Sequence, residues 1–146
     1  MSMLDSFDRK LAAVARPVFG SSALRLLAYL GLCAAYLQGG LVKLTDFQGA
    51  IDEMVHFGLS PAPPFAALVI LFELGASVMI LSGRLRWLGA LGLGGFTLLA
   101  TGIALRFWEM PAGHDRFMAA NSFFEHLGLA GGFLLIAWLD LREKDA

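Results

Sequence analysis

The 146-residue chain is far more apolar than an ordinary soluble domain. It is 58% hydrophobic and 16% charged, whereas average globular proteins are about 25% charged. Its formal net charge of −1 excludes a basic nucleic-acid-binding protein. A single cysteine excludes a disulfide scaffold and a cysteine-rich zinc site, and three histidines far apart in the sequence lead us to expect no metal site.

The first twenty residues predict an amphipathic helix. Apolar residues recur at helical spacing, charged residues occupy the opposite face, and the pattern ends near Pro17. The apolar residues are Leu4, Phe7, Leu11, Val14 and Val18. We expect residues 1–20 to form a segment lying in the membrane interface, with a short helix packed on the bundle as the alternative. No cleavable signal is expected.

Four apolar stretches follow, each of a length that can cross a bilayer. About 20 apolar residues in helical conformation span a hydrocarbon core of about 30 Å. The stretches cover residues 24–44, 65–81, 87–105 and 122–139. They predict an all-α membrane protein in contact with the lipid bilayer. Residues 21–141 would form an antiparallel bundle of four transmembrane helices, and residues 142–146 a cytoplasmic tail.

The distribution of Lys and Arg predicts the orientation of the spans. Eight of the eleven such residues lie in the N-terminal segment, in the connection between the second and third spans, and in the C-terminal tail. Lys and Arg accumulate in the cytoplasmic loops of membrane proteins. The sequence therefore predicts a multi-pass protein of the bacterial inner membrane with both termini in the cytoplasm.

Polar side chains inside the spans gather toward the predicted periplasmic side. Glu73 lies near the middle of the second span, and the others lie near the outer ends of the other three spans. The others are Lys43, Gln38, Arg106, Asn121, Glu125 and His126. Such groups are costly in a membrane and often functional. We therefore predict a ligand-binding pocket in the periplasmic half, with Glu73 at its floor and Lys43 or Arg106 keeping it charged.

The alternative interpretation of these residues is structural. Ion pairs between Glu73 and Lys43, and between Glu125 and Arg106, could fix the helix register without binding a ligand. His126 has no second histidine at the same depth, so haem ligation is disfavoured. We expect His126 to form a hydrogen bond across helices or to line the pocket, and we expect no intrinsic cofactor.

With these residues in view, the chain resembles the DoxX family of small bacterial four-helix membrane proteins. The resemblance rests on the order and spacing of segments at residues 25–27, 40–47, 57–61, 72–75, 83–84 and 121–127. Members of the family look like membrane subunits of oxidoreductase systems, including thiosulfate:quinone oxidoreductase, and like partners of thiol-redox and oxidative-stress enzymes. The resemblance implies that the pocket could hold a quinone headgroup, with electrons supplied by a cofactor or a partner.

Three functional hypotheses follow. The leading one is an accessory membrane subunit of a redox system, non-catalytic by itself, which binds a quinone-sized or other small molecule and associates with a redox enzyme or with itself. The second is a non-catalytic membrane scaffold or assembly factor. The third is a small oligomeric permease, which is disfavoured because the cytoplasmic halves of the spans lack polar residues for a continuous path.

Overall fold

The computed structural model describes residues 3–145, which form helices and no β-strand. The helices are α1 (Met3–Phe19), α2 (Ser22–Thr45), α3 (Phe47–His56), α4 (Ala62–Ser82), α5 (Arg86–Ala104) and α6 (His114–Lys144), with a 3-10 turn at Phe107–Glu109. Four of them, α2, α4, α5 and α6, are long and apolar enough to cross a membrane. The predicted all-α membrane fold is therefore confirmed. The first two residues of the predicted N-terminal segment and the last residue of the predicted tail lie outside the described residues.

Two helical features go beyond the prediction. α6 begins at His114, well before the apolar stretch that marks the fourth span, because residues 114–121 are already helical. α3 was not predicted at all. Its ten residues bury Ala50 and Met54, one helical turn apart, and are too few for a span.

The chain divides into two compact units between Gly31 and Leu32, inside α2. The first unit contains α1 and the beginning of α2. In α1, Nε of Arg9 donates to the carbonyl oxygen of Asp5, one turn earlier, at 3.2 Å. The apolar side chains of α1 are exposed. The interfacial position of this helix stays a prediction.

In the second unit, α4 and α5 form a tight hairpin. Gly83 ends α4 with a φ of 79°, in the left-handed region that glycine adopts readily. Nε of Arg86 donates to the carbonyl oxygen of Ile80 at 2.9 Å across the turn. A Cβ added at Gly89 would lie 2.8 Å from the carbonyl oxygen of Ala76, so only glycine allows the two helices to approach this closely.

A buried carboxylate joins α6 to the beginning of α5. Oδ2 of Asp140 accepts from the backbone N–H of Trp87 at 3.2 Å and from Nζ of Lys144 at 2.7 Å, while Oδ1 lies 3.5 Å from Nη1 of Arg86. The first N–H groups of a helix have no partner within the helix. Asp140 therefore caps α5 from α6 and fixes the hairpin at its turn end.

The middle of the second unit is held by Tyr36 on α2. Its ring meets the ring of Phe133 on α6 edge-on, with centroids 5.5 Å apart. Its hydroxyl bonds the hydroxyl of Thr97 on α5, which in turn donates to the carbonyl oxygen of Leu93 at 2.6 Å. Tyr36 therefore donates to Thr97, and one side chain connects three helices.

Candidate functional site

A cavity of about 310 Å³ lies among α2, α3, α4 and α5, at the end of the α4–α5 hairpin away from its turn. Its walls are apolar and come from α3, the turn after α3, α4 and α5. They consist of Met54, Phe57, Leu59, Phe65, Val69, Phe96, Leu99, Ala100, Ile103 and Ala104. Small-molecule pockets measure about 300–1,000 Å³ and combine mostly apolar walls with a few polar groups. The cavity therefore has the size and character of a small-molecule site.

Three charged side chains from three helices form the polar part of the lining. Nζ of Lys43, near the end of α2, lies 3.5 Å from Oε2 of Glu73 on α4 and 3.6 Å from Oε2 of Glu53 on α3. The side chains of Lys43 and Glu73 are 15% and 8% exposed, whereas that of Glu53 is 42% exposed. One ammonium group therefore serves two carboxylates, of which only Glu73 is buried.

Two consecutive glycines of α2 make room for this cluster. A Cβ at Gly39 would lie 3.6 Å from Nζ of Lys43 and 3.7 Å from Oε2 of Glu73. A Cβ at Gly40 would lie 2.8 Å from the side chain of Leu74. Small residues let helix backbones approach closely in a membrane. α2 therefore packs tightly on α4 here, and Lys43, one turn later, comes within reach of Glu73.

The helix α3 brings Glu53 to the cavity, and the sequence analysis missed both. Oδ1 of Asp46 accepts from the backbone N–H of Gly49 at 3.0 Å and caps the start of α3. Ala50 and Met54 then pack in a buried cluster with the beginning of α4. A signal was present in the sequence, because an aspartate followed by apolar residues at helical spacing is typical of a capped amphipathic helix.

Glu73 carries an acceptor atom without a hydrogen bond. Its Oε2 is buried, and the ammonium group of Lys43 forms an ion pair with it at 3.5 Å but does not have hydrogen-bond geometry. Among the buried side-chain nitrogen and oxygen atoms of residues 3–145, it is the one atom in this position. Leaving a buried polar atom unpaired costs about 1–3 kcal/mol, so the site has unused capacity to accept a hydrogen bond.

The structure brings Lys43 together with Glu73 but places Arg106 elsewhere. Arg106 lies beyond the end of α5, and its Nη1 is 3.3 Å from Oε2 of Glu109, with both side chains about half exposed. From the sequence, Glu73 and Glu125 were the expected partners of Arg106. Arg106 pairs with neither, because α5 ends at Ala104 and the chain that follows places Arg106 beside Glu109.

The remaining predicted site residues do not line the cavity. Gln38, Asn121 and Glu125 are exposed. His126 is partly buried, and its Nδ1 shares a hydrogen bond of 2.9 Å with the hydroxyl of Thr101, so it links α6 to α5. Binding roles for these residues stay predictions. Within residues 3–145, no three His, Cys, Asp or Glu side chains are grouped so that they could hold a metal ion.

Comparison with known proteins gives two matches that bear on the site. The DoxX family model matches residues 24–106. The inner membrane protein YphA of Escherichia coli (strain K12) is 28% identical over 138 residues, which cover 94% of this chain and 91% of that protein. No solved structure matches the chain. The segment that matches the family model contains every residue that lines the cavity.

Proposed function

The chain belongs to the DoxX family, and from that premise and the geometry of the cavity we propose that it is an accessory subunit of a redox system. It is a multi-pass membrane protein, and its similarity to an inner membrane protein supports a place in the inner membrane. In this proposal the cavity binds a quinone-sized, lipid-soluble molecule, and a partner enzyme exchanges electrons with that molecule.

The observation that carries the proposal is an apolar cavity that ends on a buried ion pair. The walls offer contact to a ring and a tail, while Lys43 offers a donor to an oxygen atom of the headgroup and Glu73 offers an acceptor to a hydroxyl of its reduced form. Few polar groups in an apolar pocket are enough to orient a small molecule. Oε2 of Glu73, which Lys43 approaches at 3.5 Å without forming a hydrogen bond, adds an acceptor for a ligand.

The cavity opens at the surface of the α4–α5 pair. Phe65, Leu99 and Ile103 line it and are nevertheless 36%, 65% and 37% exposed. In the proposed function these exposed apolar side chains would face lipid, so that a ligand could enter from the bilayer. A volume of about 310 Å³ holds a headgroup and the beginning of a tail, and the rest of a long tail would stay in the lipid.

The residues that line the cavity fit a quinone without the need for a metal ion or a second cofactor. When bound, a quinone would supply the electron-carrying chemistry. Lys43 would donate a hydrogen bond to an oxygen of the ring, and Glu73 would accept or hold a proton at its carboxylate. The apolar walls would exclude water from the ring.

The charge distribution supports the orientation of the site. With eight of eleven Lys and Arg residues in the terminal segments and the α4–α5 turn, both termini would lie in the cytoplasm. The turn of the α4–α5 hairpin is then cytoplasmic. The cavity, at the other end of the hairpin, would lie in the periplasmic half of the membrane.

The same ion pair supports a second candidate function. Lys43 and Glu73 connect α2 to α4, and a buried pair can serve only to fix two helices in register. In that case the protein is a scaffold or assembly factor, and the cavity holds ordinary lipid chains.

The two functions differ in what the purified protein retains. We would extract the wild-type protein gently from its own membranes and measure bound quinone per chain by native mass spectrometry. Glu73→Gln removes the carboxylate from the cavity. Glu109→Gln is the matched control, because it makes the same chemical change in an exposed pair outside the cavity.

We expect the wild type and Glu109→Gln to retain the molecule, as quinone or hydroquinone, and Glu73→Gln to lose most of its hydroquinone form, while circular dichroism shows the same helix content in all three. Equal retention in all three variants would contradict a role for Glu73 in binding. A wild-type protein that carries no small molecule and loses only stability in Glu73→Gln would favour the scaffold.

A further inference from the structure

We infer that the polar end of the cavity selects a neutral headgroup that donates a hydrogen bond, so that the site binds a hydroquinone more tightly than the corresponding quinone. This inference rests on the proposed function and concerns the same cavity. It follows from three features of the cluster around Lys43: its charge, the oxygen atom of Glu73 that has no hydrogen bond, and the competition of two carboxylates for one ammonium group.

The charge of the cluster disfavours an anionic headgroup. Two carboxylates, Glu53 and Glu73, lie within 3.6 Å and 3.5 Å of a single ammonium group. A phosphate or carboxylate that approached Lys43 would meet both of these carboxylates at close range. Because the buried end of the cavity has a low dielectric constant, like charges repel each other more strongly there than in water. The ligand is therefore expected to have a neutral headgroup.

The unpaired atom favours a donor. Oε2 of Glu73 is buried without a hydrogen bond, and an ionised carboxylate can only accept. A quinone also has only acceptors, so it cannot satisfy this carboxylate. A hydroquinone carries an O–H group on each side of its ring and can donate one of them to Glu73.

Competition for Lys43 acts in the same direction. The ammonium group of Lys43 is attracted to a carboxylate on either side, Glu73 at 3.5 Å and Glu53 at 3.6 Å. A quinone carbonyl would have to compete with both carboxylates for that ammonium group. The hydroxyl oxygen of a hydroquinone can accept from Lys43 and donate to Glu73 at the same time.

The expected preference is tenfold or more in the dissociation constant. Hydrogen bonds to charged groups are the stronger ones in proteins, and an acceptor left unpaired by the ligand carries a penalty. A factor of ten corresponds to about 1.4 kcal/mol, which lies within the range for one such bond.

The test compares three ligands that share a ring and a decyl tail: a benzoquinone, its hydroquinone, and the dimethyl ether of that hydroquinone. Binding to quinone-free protein in nanodiscs would be measured under anaerobic conditions by equilibrium dialysis. The dimethyl ether has the hydroquinone framework but no donor, so we expect it to bind no more tightly than the quinone. The hydroquinone should bind at least tenfold more tightly than either.

The variant Glu73→Gln tests the residue assigned to this preference. An amide can both donate and accept, so the ratio between hydroquinone and quinone should fall toward one. The ratio should remain unchanged in the matched control Glu109→Gln. If Glu73→Gln does not fold, the comparison of the three ligands on the wild-type protein still decides the question.

The outcomes separate the two levels of the proposal. Equal binding of quinone and hydroquinone, or tighter binding of the quinone, overturns the preference and leaves the proposed quinone site standing. Tight binding of the dimethyl ether overturns the assignment of the preference to hydrogen-bond donation. No binding of any of the three overturns the proposed function as well.

Discussion

Removing Lys43 should destabilise the protein more than removing its buried partner does. At 3.5 Å and an effective dielectric constant of about 20, the attraction between Lys43 and Glu73 is about 5 kcal/mol. Measurements on proteins in which one partner of a buried pair was removed give losses of about 3–5 kcal/mol. We expect Lys43→Met to fall in that range, because it leaves the Glu73 carboxylate buried without a cation.

The second carboxylate makes the two single changes unequal. In Glu73→Gln, Lys43 still has Glu53 at 3.6 Å and the amide oxygen at position 73 as partners. We expect this variant to lose only about 1–2 kcal/mol. The side chain of Glu53 is 42% exposed, so water screens its attraction to Lys43. We expect the Lys43–Glu53 pair to contribute about 0–1 kcal/mol to stability. The double variant Lys43→Met, Glu73→Gln should be more stable than Lys43→Met alone, because it leaves no buried carboxylate without a cation.

The assay is equilibrium unfolding in mixed micelles with increasing sodium dodecyl sulfate, followed by tryptophan fluorescence. The wild type, both single variants and the double variant are compared at one pH and one ionic strength. A Glu73→Gln variant that is less stable than Lys43→Met would refute the reasoning, because it would mean that the lysine has no second partner. Additive losses in the double variant would show that the two residues do not interact.

The same unfolding titration tests three further predictions. Asp140→Asn should lose about 2–3 kcal/mol by weakening the cap on α5, whereas Lys144→Ala, whose side chain is 47% exposed, should lose less than about 1 kcal/mol. Gly89→Ala should lose about 1–3 kcal/mol because its Cβ meets a backbone oxygen of α4 at 2.8 Å. Gly95→Ala, which has open space around it, should change stability by no more than about 1 kcal/mol, in the stabilising direction. Tyr36→Phe should lower the free energy of unfolding by only about 1 kcal/mol, because the hydroxyl of Thr97 still donates to the carbonyl oxygen of Leu93.

The sequence predicts how far along a span a residue lies better than it predicts which side of the helix the residue occupies. The four spans, and the position of Lys43 and Glu73 in the same half of the membrane, follow from counting residues along apolar stretches, because each helical residue advances a fixed 1.5 Å. The side on which a residue lies depends on packing. Gln38 has a suitable depth but is exposed, while Tyr36 and Gly40, two residues away on either side, are buried.

The parts of the site that the sequence analysis missed depend on segments between the spans. Arg106 was expected near Glu73 because it ends an apolar stretch, but α5 ends before it and a 3-10 turn follows. Glu53 was overlooked because α3 lies between the first two spans and is too short to be recognised as a span itself. Short helices depend on caps and on packing, so they are less evident in an apolar sequence than spans are.

The two buried carboxylates of the second unit show how differently the fold can treat the same group. Taken as whole residues, Asp140 and Glu73 are each 6% exposed. Asp140, which joins α6 to α5, has a backbone amide, an ammonium and a guanidinium group around its two oxygens. Glu73 has one ion pair and an Oε2 atom without a hydrogen bond. If Glu73 served only to hold α2 on α4, selection for stability would favour a fully partnered carboxylate there too, since each unpaired acceptor is a loss. A carboxylate left incomplete in the wall of an apolar cavity therefore supports the proposal that a ligand enters the cavity and completes its hydrogen bonding.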